Sequence, residues 1–166
     1  MFELKPISRD TLGGALAKAE RYRLLNEPHE AESICRDILE VDPANRDARI
    51  SLILALTDEF PRDEGAFAGA VAAIAGLEGT YDRAYYGGIA WERRAKARHD
   101  AGKLGSSGYV YDWIVKALQL FEEAERVRPT GNDDAILRWN ACVRFLERHK
   151  NLGPKTEELQ EPILSE

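Results

Sequence analysis

The chain is 166 residues long and carries 23 Lys and Arg against 29 Asp and Glu, a net charge of -6 that exerts no general pull on polyphosphate or anionic lipid. At 44% hydrophobic and 31% charged it is too apolar to stay disordered and too polar for several membrane spans. One globular domain is therefore expected, with no nucleic-acid partner and no membrane insertion.

The opening MFELKPISRD has charges where a secretory leader needs an uninterrupted apolar run, so a cytoplasmic location is expected. From Thr11 to Leu25, Leu12, Leu16, Ala19 and Tyr22 fall at steps of three and four, which predicts an amphipathic helix. Asn26-Glu27-Pro28 stops it, and the proline suits the first turn of a second helix, His29 to Val41, with Ala31, Ile34, Cys35, Ile38 and Leu39 on one face. Asp42-Pro43 ends this helix, giving a hairpin of two helices. Asn45 to Thr57 is a third helix, apolar nearly all round through Ile50, Leu52, Ile53, Leu54 and Leu56, so a central position follows.

Asp58 to Asp63 reads as a loop, and Glu64 to Leu77 as a fourth helix whose alanines and glycines let neighbouring backbones approach. Its apolar stretch is about half the ~20 residues that a bilayer span requires. Tyr81 to Ala101 is a long fifth helix, with a kink or late start expected at Gly87-Gly88. Gly102 to Gly108 has the composition of a flexible loop, and helix is expected to resume by about Asp112. Ile114, Ala117, Leu118, Phe121, Ala124 and Val127 carry the stripe of that sixth helix up to Pro129. Asn132 or Asp133 can cap a seventh helix reaching about His149. Residues 1–150 make the domain, and 151–166 are expected to form a flexible tail. No strand-like alternation occurs, which predicts an all-α fold of about seven helices. Cys35 and Cys142 have no CxxC neighbour and read as buried free thiols.

Ala117, Phe121, Ala124 and Pro129 have the spacing A-x3-F-x2-A-x4-P, and Ala31, Cys35, Ile38 and Pro43 repeat it with substitutions, followed by Ala44-Asn45. This resembles the second helix and closing proline of a tetratricopeptide repeat (TPR). Ala19 and Tyr22, and later Trp91 and Ala95, match the small and aromatic positions of that family's first helix. The resemblance implies a short right-handed superhelix of antiparallel hairpins, with repeats at about 12–45, 46–79 and 82–131 and a terminal helix at 132–149. The third repeat would contain an insertion. Lys18 and Arg94 depart from the pattern, standing where the family prefers a large apolar residue, and the second repeat keeps little beyond its helical periodicity.

Proteins of this kind bind an extended peptide or a helix in a concave groove lined by the first helix of each repeat. That geometry implies a protein or peptide partner for this chain. It projects Glu20, Arg23, Ile89, Glu92, Lys96, His99, Asp100, Asn140 and Arg144 into the groove. A plainer reading makes these a solvated helix face, where an i,i+4 pair such as Glu92 and Lys96 contributes about 0.3–0.5 kcal/mol. The Lys and Asn set with which some TPR domains grip a C-terminal carboxylate is not reproduced, since Ile50 and Leu54 occupy the matching places. Residues 3–82 hold 16 acidic against nine basic residues, whereas Arg93, Arg94, Lys96, Arg98 and Lys103 form a basic run that could steer an acidic partner.

No constellation for catalysis, metal or cofactor binding is legible. His29, His99 and His149 lack HExxH spacing, and Gly105-Ser106-Ser107-Gly108 is not a nucleophile elbow. The expected function is a non-enzymatic interaction module that needs no cofactor. Its rivals are a small helical enzyme or ligand-binding protein using His99 with Glu92 or Asp100 beside the 103–113 loop, and a self-associating domain that pairs as a homodimer.

Overall fold

The computed structural model describes residues 2–154, which form seven α-helices and no strand. After a 3-10 turn, Arg9–Thr11, come α1 (Leu12–Leu24), α2 (Pro28–Val41), α3 (Arg46–Glu59), α4 (Ala66–Ala75), α5 (Thr80–Asp100), α6 (Ser107–Arg126) and α7 (Asp134–Arg148). The all-α expectation and its seven helices hold. The expected tail from residue 155 onward lies outside the described residues.

Local chemistry sets the boundaries. Asn26 ends α1 with a φ of 59°, while the amide of Asn26 donates to the Arg23 carbonyl and that of Glu27 to the Tyr22 carbonyl. This is the Schellman arrangement, in which one left-handed residue satisfies the helix's last carbonyls; Asn tolerates it where most residues do not. Pro28 then opens α2 at its first position. Asn45 caps α3 by accepting from the Ala48 amide at 2.9 Å. Asp63 Oδ1 accepts from the Gly65 amide at 2.7 Å, a local turn that delays α4 past its expected start at Glu64. α3 is longer than expected, so Asp58 and Glu59 are helical and not in a loop.

Sequential helices pack as neighbours, and each odd-numbered helix also touches the next: α1 meets α3, α3 meets α5, and α5 meets α7. The apolar girth of α3 explains its place, in contact with α1, α2, α4 and α5. Ala31, Cys35 and Ile38 of α2 are fully buried, as are Ala117, Phe121 and Ala124 of α6, so both copies of the repeated spacing point inward. Burial of a side chain such as Ile38 or Phe121 contributes about 1.5–3 kcal/mol.

Two expectations about α5 and α6 are corrected. α5 runs as one helix through Gly87 and Gly88, because Gly88 serves packing: a Cβ there would lie 2.5 Å from Phe121 Cε1. α6 begins at Ser107, more than a turn before Asp112, so Tyr109, Tyr111 and Trp113 are helical. Trp113 faces Trp91, with ring centroids 6.3 Å apart. The guanidinium of Arg94 lies between Phe67, 4.0 Å away, and Trp113, 4.2 Å away. An arginine thus fills an apolar position by stacking its plane between rings. Tyr109 is 45% exposed and its ring lies 6.2 Å from that of Trp113.

Candidate functional site

The same ends of α1, α3 and α5 converge on an open trough of about 610 Å³. Glu20, Arg23, Leu24 and Asn26 line it from the first hairpin, Thr57, Asp58 and Pro61 from the second, and Arg93, Lys96, Ala97 and Asp100 from α5. An ion-pair chain forms its floor. Arg23 Nε donates to Asp58 Oδ2 at 2.8 Å, Arg93 Nη1 donates to Asp58 Oδ1, and the same nitrogen reaches Thr57 Oγ1 at 2.7 Å. Burial pulls the Arg93 guanidinium below its ordinary range, and the negative charge of Asp58 opposes that pull.

These partners share a register. Arg23 and Asp58 are 35 residues apart, and so are Asp58 and Arg93. Arg46 and Asp82, 36 apart, form a two-bond pair at 2.6 and 2.8 Å near the opposite ends of α3 and α5. Arg98 bonds Glu64 at 3.0 Å across 34 residues. Each pair joins one odd-numbered helix, or the segment just after it, to the next odd-numbered helix across 34–36 residues.

Of the nine groove residues expected from the sequence, Glu20, Arg23, Lys96 and Asp100 meet in the trough. Ile89 and Glu92 do not, being 2% and 1% exposed. Ile89 belongs to the interior with Val110, Phe121 and Phe145. Glu92 bonds Lys96 Nζ and lies 3.4 Å from Arg138 Nη1 of α7. A charge buried to this extent is retained only where it is paired. Glu92 also reinforces the burial that pushes the neighbouring Cys142 thiol up to about 12, leaving it unreactive. His99 meets the rings of His149 and Phe145 edge-to-face, with centroids 4.3 and 5.3 Å apart. Asn140 and Arg144 lie on α7, outside the trough lining.

Asp58, Thr57 and Arg93 were missing from the expected groove. The 35-residue spacing of Arg23, Asp58 and Arg93 is the signal that could have found them. As for a centre on His99, the hollow beside the 103–113 segment is about 140 Å³ and lined by Phe67, Arg94, Arg98, Lys103 and Trp113 among others, not by His99. Elsewhere, His29, Glu32 and Glu59 bring their ligand atoms within 4.8 Å of one another. No helix among the described residues is long and apolar enough to cross a membrane. No family model, curated protein or solved structure matches this chain.

Proposed function

We propose that the protein is a non-enzymatic interaction module, a short right-handed TPR-like stack that holds an extended peptide or a helix of a partner protein in the trough between α1, α3 and α5. The observation that carries this reading is the trough itself, built by one end of three successive odd-numbered helices with side chains repeating every 35 residues. Its lining suits a peptide. Leu24 (88% exposed), Pro61 and Ala97 offer apolar contact, while Glu20 and Asp100 remain at the rim for polar bonds and Arg23, Arg93 and Lys96 supply cations.

The test is selection of peptides from a random library, followed by affinity measurement on trough variants. Leu24→Asp and Asp100→Lys change exposed side chains, so they should leave the fold intact while weakening selected peptides tenfold or more. Peptides that bind wild type and both variants equally would place recognition elsewhere. A peptide set whose affinity responds instead to Arg144→Glu on α7 would move the binding surface to that helix.

A further inference from the structure

Glu59, at the end of α3, is 3% exposed, and its Oε1 is enclosed without a hydrogen bond. An ionised carboxylate in such a place must find a positive partner or take up a proton. Two side chains from the start of α2 face it. His29 Nδ1 lies 3.2 Å from Glu59 Oε1, and Glu32 completes a set in which the three ligand atoms fall within 4.8 Å of one another. His29 and Glu32 are three residues apart on one helix, which turns both toward the same neighbour. Arg36 already holds Glu32 Oε1 at 2.6 Å, and Asp63 adds negative charge nearby.

We propose that His29, Glu32 and Glu59 form a binding site for a divalent transition-metal ion of the zinc type, clamping the first helical hairpin to the second. The donor set is one imidazole nitrogen and two carboxylate oxygens, which suits a borderline ion and leaves a position for water. The 3.2 Å between His29 Nδ1 and Glu59 Oε1 is close to the roughly 3.4 Å ligand-to-ligand edge expected around a tetrahedral ion with bonds of about 2.1 Å. His29 is 69% exposed in its side chain, so it can swing to shorten the longer separations without disturbing the core. Two carboxylates with an imidazole beside them, their ligand atoms within 4.8 Å of one another, are donors that such an ion takes.

Titration of untagged full-length protein with zinc chloride by calorimetry, in buffer free of chelators, tests the assignment. One equivalent is expected to bind. His29→Ala should weaken binding at least tenfold, and Glu59→Gln should do the same. His99→Ala, which removes the other histidine pair, should leave affinity unchanged. Substitution by cobalt should give the visible absorption of a nitrogen- and oxygen-ligated ion in wild type and lose it in His29→Ala. Absence of binding at 100-micromolar zinc, equal binding by wild type and His29→Ala, or loss of binding in His99→Ala would overturn the proposal. His29→Ala alters an exposed side chain, so the result stands even if Glu59→Gln folds poorly.

Discussion

From α1 to α4 the interior is mostly alanine and short aliphatics, with Ala19, Ala31, Ala55, Ala66, Ala70 and Ala73 all buried. From α5 to α7 rings take over: Tyr85, Trp91, Trp113, Phe121, Trp139 and Phe145 gather there, and all three tryptophans of the chain are among them. The first half uses helices of 10–14 residues, whereas α5 and α6 run to 21 and 20. Ion pairs near the helix ends bridge α1 to α3 and α3 to α5. Rings fill much of the second interior, and α5 meets α6 closely at a glycine, Gly88, beside Phe121. One all-helical chain thus uses two packing chemistries in its two halves.

The comparison breaks most readily in the ring-filled half. Phe121→Ala empties a fully buried site and should cost about 3–5 kcal/mol in denaturant unfolding. The neighbouring glycines should behave oppositely. Gly88→Val forces a side chain into the Phe121 ring and should cost about 3 kcal/mol. In Gly87→Ala the new Cβ meets Leu120 Cδ1 at 3.4 Å, ordinary contact, so the better helix former should gain up to about 1 kcal/mol. Equal melting of the two glycine variants would show that α5 and α6 are not in close contact at Gly88.

In the small-residue half the expected effects are lesser. Asp58→Ala leaves Arg23 and Arg93 facing one another without their shared carboxylate. With side chains 21–28% exposed, the loss should be about 1–2 kcal/mol, and Arg23→Ala in the same background should cost little more. An additive double-mutant cycle would show that the pair does not link the hairpins.

Glu59 gives a pH signature. Because its folded carboxyl titrates above the unfolded one, the native state binds more protons across the window between them. Stability contributed by this group is therefore present below the unfolded value, about 4.3, and is lost as pH rises through the folded value. Glu59→Gln, measured with chelator present, should lack this loss and be the more stable protein at pH 7, with the difference closing toward pH 4. The smallest effect belongs to the α1 terminus. Asn26→Gly, at a φ of 59°, should change stability by only a few tenths of a kcal/mol, whereas Asn26→Val should lose 1–2 kcal/mol.

Much of this fold was legible in the sequence because period and punctuation agreed. The stripes of α2 and α6 were bounded by prolines, and both emerge with their repeated small residues fully buried. α3 was placed centrally by its apolar girth alone. What escaped is what depends on a distant partner. The glycines of α5 read as weakness because nothing local announces Phe121. Ser107 and Gly108 have the composition of a loop, yet the apolar face formed with Val110 and Ile114 draws them into α6. Glu92 has the look of an exposed i,i+4 partner, and only the approach of α7 with Arg138 makes it an interior charge. The trough was half legible for the same reason: residues on α1 and α5 could be projected, but Asp58 stood beyond the expected end of α3.

The alternation of positive, negative and positive along Arg23, Asp58 and Arg93 also favours one alignment of α1, α3 and α5 over its neighbours. Were α3 to slide by one turn, Leu54 would stand where Asp58 does, and two guanidinium groups would meet hydrocarbon. Alanine-rich surfaces alone would tolerate such a slip, since one small methyl resembles the next. The charged triplet penalises the shifted alignment by leaving both guanidinium groups without their carboxylate.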